Sequence, residues 1–387
     1  MHSLMRSAMW AALVSGLLSG PAYTATLQVG PQRTIKLPSE AAKVARDGDV
    51  IAIEAGIYRG DVASWPQHGL TLKGIGQRAH IQAQGQAAEA KAIWVFKGND
   101  ITVENIELSG AAVEDLNGAG IRFEGRHLTL RNCHFHHNQM GLLTGANPLS
   151  EILIEGSEFN DNTVDYRRYG KLGHNIYIGN IKRFTLRNSY IHDASTGHNV
   201  KSRAQENHLL YNRISDERNG SSYLVDLPDG GNAYLIGNLL HQNVLTENPA
   251  MLAFAAEHHR SQANQQLYVV NNTFVNDRPN GFFLNNHSIS PAILINNLLV
   301  GQATSVEGLS VQKHNLMEAQ ARFRNAGEYD YRLLPYADAI DQGIAPGQAS
   351  NGFPLAPEAQ YRHPLGTEIR RQQGAIDIGA YEFTGKQ

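Results

Sequence analysis

Between residues 100 and 300 one short phrase recurs: a few apolar residues, a turn usually carrying Asn, then a second apolar run. It reads ITVENIEL, LTLRNCHF, ILIEGSEF, FTLRNSYI, HLLYNRIS, YLIGNLLH, YVVNNTFV and ILINNLLV. With Asn105, Asn132, Gly156, Asn188, Asn212, Asn238, Asn272 and Asn297 as markers, the intervals are 27, 24, 32, 24, 26, 34 and 25. This is an array with a period near 25 and two interruptions. The period is too short for a helical hairpin, and the apolar runs have the length and β-branched character of strands. Three runs joined by turns make one triangular coil, and coils stack with their strands parallel about 4.8 Å apart. Asn at one turn of every coil can bond its neighbours above and below. The expectation is an all-β, single-domain, right-handed parallel β-helix, its hand inferred from the usual hand of parallel connections.

The composition suits such a solenoid: of 387 residues 42% are hydrophobic and only 18% charged, with 37 Gly. Arg6, the apolar run Ala8 to Leu18 and small residues to Ala25 read as a secretory signal peptide over 1–25, too short to span a bilayer. The remaining 26–387 divides into an N-terminal cap with a short amphipathic helix at 34–49, regular coils over 50–302, and a closing segment over 303–387. An exported chain without stable membrane insertion follows. The single cysteine, Cys133, excludes an internal disulfide and reads as a small buried residue of the stack. A net charge of −3 gives nucleic-acid binding no whole-chain support. The oligomeric state is not legible.

Three segments together carry a family likeness: LPSEAAKVARDGDVIAIEAGIYRG near the start, the Asn-marked coils, and DYRLLPYADAIDQG near the end. The chain resembles the pectate-lyase-like β-helix superfamily over residues 27–385. That resemblance implies a substrate groove floored by the strand two segments before each Asn turn, here GIRFEG, GLLTG, HNIYIG, HNVKSR, SYLVDL, AMLAFA and GFFLNN.

Strand alternation sorts these side chains. With Ile176 and Ile178 inward, Asn175 and Tyr177 face out. With Val200 and Ser202 inward, Asn199, Lys201 and Arg203 face out; with Tyr223 and Val225 inward, Leu224 and Asp226 do. GHN occurs at 173–175 and again at 197–199, setting His174 and His198 at the strand entrances. The first long interval holds DYRRYGK, whose Arg167, Arg168 and Lys171 would form a basic wall beside Lys201. The second, with LTENP and EHHRSQAN, is the expected opposite wall.

Basic residues gathered on one face of a slightly acidic chain suggest an anionic polysaccharide or oligosaccharide built from uronic acids, whose carboxylates Arg binds in bidentate fashion. Neutralising that carboxylate and removing the adjacent proton permits β-elimination. KSRAQENHLLYN over 201–212 resembles the KS, EN and YN pattern around the lysine base of the alginate-lyase and chondroitinase-B type of β-helix lyases, and GHNIYIG resembles their preceding coil. The resemblance implies Lys201 as base and Arg203 neutralising the carboxylate. Tyr177, His198 or Arg203 would act as acid, because Asp226 stands where that family carries an Arg acid. His174, Asn175, Asn199, Arg167, Arg168, Lys171 and Asp226 are the expected substrate contacts. Calcium is the one cofactor the resemblance admits, and of the expected ligand acids only Glu206 is present.

Blander readings stand beside these. Lys201 and Arg203 fit a solvated strand face; the GHN repeat fits a structural polar ladder; Asp226 and Asp229 in VDLPDGG fit a turn. Glu257, His258 and His259 read as loop surface. HFHHN at 134–138 alternates between faces rather than converging, so no transition-metal site is expected. A glycoside hydrolase using Asp226 and Asp229, a C5 epimerase, and a non-catalytic glycan-binding module are the alternatives.

Overall fold

The computed structural model describes residues 24–257 and 265–385. Most of the expected leader therefore lies outside the described residues, as do His258 and His259. The chain is a right-handed parallel β-helix. Its groove sheet has ten parallel strands, running from Ala63–Trp65 to Thr304–Gly308. The other two faces of the coils join into one 21-stranded sheet, because the long early strands Val50–Arg59 and Thr71–Gln82 run across the corner between them.

The interior is apolar and stacked in like-on-like columns. Phe135 and Phe159, one coil apart, stack at 4.4 Å with planes 3° apart. Parallel strands buried on the inner face need this continuity, since every inward residue meets its counterparts one coil above and below.

The turn that marks the period contains two positions with different jobs. The first is left-handed: Asn105, Asn132, Gly156, Asn188, Tyr211, Gly237, Asn271, Asn296 and His314 all have φ between 49° and 65°. Asn and Gly tolerate that conformation best. The residue after it points inward and makes the ladder. Asn212 donates to Asn238, Asn238 to Asn272, Asn272 to Asn297 and Asn297 to Asn315, at 3.0, 2.9, 3.0 and 2.8 Å. Ser189, Ser157 and Cys133 occupy the same position in the earlier coils, each giving its backbone N–H to the next side chain or, for Ser189, to Asn212. The sequence markers thus slip by one residue between Asn188 and Asn212, from the left-handed position to the ladder position. Cys133 is itself a rung, and burial pushes its thiol up to about 12.

The expected N-terminal capping helix is present, and both ends carry further strands. A strand, Thr26–Val29, precedes the capping helix, which is confined to Pro38–Val44. Coils continue past 302 through Ser310–Lys313 and Leu316–Glu318. The closing segment then runs back along the stack: Ser350 meets Tyr268, Asn351 meets Tyr234, Glu358 meets Tyr211, and Gly366 donates to the carbonyl of Asn188. Among the described residues no helix is long and apolar enough to cross a membrane.

Candidate functional site

Four strands of the groove sheet set the site: Met140–Thr144, His174–Ile178, Val200–Ser202 and Val225–Leu227. Register aligns Leu143, Tyr177, Lys201, Asp226 and then Ala253 on one outward row. Arg203 follows Lys201 by two residues on the same side. Side chains on such a row project from a rigid surface at coil spacing.

Alternation fails one step earlier, where each coil bends into the strand. Asn175 and Ile176 are both inward, as are Asn199 with Val200 and Leu224 with Val225. Asn175 and Asn199, expected at the substrate, are instead fully buried in a second interior ladder. Asn162 donates to Asn175, Asn175 to Asn199 and Asn199 to Asp216, at 2.9, 2.8 and 2.9 Å. Leu224, expected outward, is buried, and Tyr223 turns out to lie against His198. Two consecutive inward residues are what a corner requires, and strict period-two reading does not allow for one.

The GHN repeat follows from the same corner. A side chain at Gly197 would meet the carbonyl of Gly173, its Cβ 1.4 Å from the oxygen, so the glycine is needed for close coil approach. The rings of His174 and His198 stack at 4.7 Å, and Nδ1 of His174 accepts from the backbone N–H of His198 at 2.9 Å. Nδ1 of His198 likewise accepts from the N–H of Tyr223 at 3.3 Å. This leaves Nε2 as the protonated nitrogen of neutral His198, 3.5 Å from the Asp226 carboxylate. Burial, then the charge of Lys201, brings His174 down to about 3; burial, then His174 and Lys201, holds His198 well below its ordinary value. Both imidazoles are neutral near pH 7, and His174 stacks on His198 and meets Tyr177 edge-on.

The cluster itself is compact. Lys201 Nζ donates to Asp226 at 2.8 Å and to Glu257 at 3.4 Å, and lies 5.8 Å from the centre of the Tyr177 ring. Arg203 gives Nε to the Tyr177 hydroxyl at 3.1 Å, and its two terminal nitrogens to Asp229 and Glu257. Lys201 and Asp226 are buried, whereas the Glu257 side chain is 46% exposed. Burial pushes Asp226 up against the pull of Lys201. Burial would also raise Glu257, but the Arg203 hydrogen bond and the charge of Lys201 hold it below the usual range.

Two expectations change here. The face is not a surplus of positive charge, because three carboxylates, Asp226, Asp229 and Glu257, surround two cations. Glu257, read as loop surface, reaches in from the second long interval and bridges both cations. The first long interval supplies a helical turn, Tyr166–Tyr169, capped by Asp165. Its basic residues go elsewhere: Arg168 lies over Tyr169, Lys171 bonds the carbonyl of Asp115, and among the described residues no ion pair or hydrogen bond joins Arg167, Arg168 or Lys171 to Lys201 or Arg203.

Calcium does not fit this cluster, since an ammonium and a guanidinium occupy the space between the carboxylates and would repel a dication. Glu206 lies on the strand Glu206–Leu210 of the other sheet, paired with Arg183 and His208. His134 and His136 share one outward face, where His80 and Glu107 join them, contrary to the reading of HFHHN as non-converging.

The family described as right handed beta helix region matches residues 91–259. Among solved structures, the pectate lyase Pel9A is similar at 16% identity, covering 93% of this chain and 96% of its own, with a TM-score of 0.66. An alginate lyase from Paenibacillus sp. str. FPU-7 aligns at 14% identity over 76% of this chain and 99% of its own, with a TM-score of 0.49. A GH136 lacto-N-biosidase from Eubacterium ramulus aligns at 11% identity over 76% of this chain and 68% of its own, with a TM-score of 0.44. No curated protein matches the chain in sequence. The fold is that of the pectate-lyase-like right-handed β-helices.

Proposed function

We propose that this chain is an exported polysaccharide lyase that cleaves a uronate-containing glycan by β-elimination in the groove around Lys201. The fold alone does not choose among lyase, hydrolase and epimerase chemistry, so the reading rests on the site. One observation carries it: the carboxylate of Glu257 sits between the Lys201 ammonium and the Arg203 guanidinium, one oxygen to each. A pair of cations that already grips a carboxylate in this fashion is suited to grip that of a uronic acid.

In this reading the substrate carboxylate displaces Glu257 and is neutralised by Arg203. Lys201 acts as a neutral amine after giving its proton to Asp226 or to solvent. Its Nζ then takes the proton from C5, the electron pair forms the C4–C5 double bond, and the C4–oxygen bond breaks. Tyr177 accepts from Arg203 Nε through its oxygen, which leaves its own O–H free to protonate the departing oxygen. His198 Nε2 lies 3.5 Å from the same Asp226 oxygen that Lys201 holds and steadies that carboxylate, a positioning role.

The test is ultraviolet absorbance of an unsaturated product across a panel of polyuronates and glycosaminoglycans, with and without chelator. Absorbance that disappears in Lys201→Ala supports the proposal; absorbance that survives both Lys201→Ala and Arg203→Ala overturns the site. The three clustered carboxylates favour a second reading, glycoside hydrolysis, for which new reducing ends would form without absorbance. A change of sugar configuration without cleavage would point to C5 epimerisation, and binding alone to a glycan-holding module.

A further inference from the structure

The third face of the helix, which plays no part in the groove, carries an outward row of polar residues on Thr71–Gln82, Ile106–Ser109 and His134–His136. His80 pairs in register with Glu107, and Ser109 with His136. One carboxylate oxygen, Oε1 of Glu107, receives both imidazoles: Nδ1 of His80 at 3.2 Å and Nε2 of His136 at 3.0 Å. The three donor atoms lie within 4.8 Å of one another, and all three side chains are partly open to solvent.

We propose that His80, Glu107 and His136 form a binding site for a divalent transition-metal ion of the zinc type. Zinc bonds nitrogen and carboxylate oxygen at roughly 2.0–2.1 Å, so neighbouring ligands of a tetrahedral ion lie about 3.3 Å apart. The observed 3.0 and 3.2 Å separations need to open by only a few tenths of an ångström. The remote nitrogen of each ring is already held: Nε2 of His80 lies 2.7 Å from Ser109 Oγ, and Nδ1 of His136 lies 2.7 Å from Nδ1 of His137. Such outer partners fix ring orientation and tautomer in metal sites. Serine can accept, and neutral His137 can present a lone pair, so both ligand nitrogens can turn their lone pairs to the ion.

Neighbouring groups separate a metal site from a mere histidine cluster. His134 stacks on His136 at 4.4 Å and gives Nε2 to Asn160, and it does not belong to the group whose donor atoms converge on Glu107. Nitrogen donors select against calcium and magnesium. Three protein ligands leave the fourth tetrahedral position to water or to an oxygen or nitrogen of a ligand.

Titration calorimetry with zinc chloride on the full chain tests this. One equivalent is expected to bind, and Glu107→Gln and His136→Ala are each expected to weaken it at least ~30-fold, a loss of the size seen when a metal site is disturbed. His134→Ala is expected to bind zinc as the parent does, with circular dichroism reporting that each variant keeps its fold. Absence of a one-equivalent event in the parent, or equal affinity in Glu107→Gln and His136→Ala, overturns the proposal.

Discussion

Two polar systems, one buried and one opening to the groove, are built on opposite terms in this molecule. The interior ladder from Asn212 to Asn315 is neutral, and each rung is satisfied by an identical neighbour one coil away. The groove cluster of Lys201, Arg203, Asp226, Asp229 and Glu257 is charged, and its members come from unlike places: two groove strands, the turn that follows one of them, and the loop after Ala255. A repeated amide gives rigidity at every coil. The charged cluster belongs to one stretch of the groove, and in the proposed reading it offers groups that a substrate displaces.

Breaking one rung should show how much the ladder contributes. Asn238→Ala removes the acceptor of two Asn212 donors and the donor to the Leu209 carbonyl. At ~1–3 kcal/mol for each of these buried groups left unpaired, the expected loss is about 3–9 kcal/mol, read from the chemical-denaturation midpoint. A loss below ~1 kcal/mol would mean that the ladder does not hold the stack together.

In the cluster the corresponding cut falls on activity. Lys201→Ala is expected to lower kcat by ~10²–10⁴, the range for a general base, on whichever polyuronate the parent cleaves. A variant that changes KM alone would recast Lys201 as a carboxylate-holding group.

Acid separates the two systems further. The ladder amides do not titrate, whereas His174 is brought down to about 3 by burial and then by Lys201. An unfolded chain takes up that proton near pH ~6.5, so between there and about 3 the unfolded state binds more protons than the native state. Stability should therefore fall as pH drops through this window and be independent of His174 above it. His174→Asn, which keeps an acceptor near the position of Nδ1, should flatten the slope; an unchanged slope of thermal midpoint against pH would remove His174 as its source.

The smallest effect should come from Glu257→Gln. Its carboxylate is half exposed, so stability should shift by less than ~0.5 kcal/mol. KM should fall a few-fold as the internal competitor for Lys201 and Arg203 loses its charge. A rise in KM with a lower kcat would instead make Glu257 part of the reacting machinery.

Reading the sequence with Asn as a ruler aligned Tyr177, Lys201 and Asp226 on one row, because a solenoid turns sequence spacing into spatial register. The ruler failed at Asn175, Asn199 and Leu224, where the corner puts two neighbours inward, and no alternating pattern announces a corner. It also missed Glu257, whose loop brings it back to Lys201 from 56 residues away. His80, Glu107 and His136 share a face although nothing in the local sequence of any one of them refers to the other two.

The sequence by itself determined the architecture, since a short repeat of apolar runs with a left-handed residue and an inward amide at one turn has only one economical way to bury its strands. The tertiary structure alone decided the charge balance of the groove and the convergence on Glu107. Ion pairing and metal ligation depend on distances of about 3 Å between side chains, and those distances are set by where loops and corners bring unlike residues together.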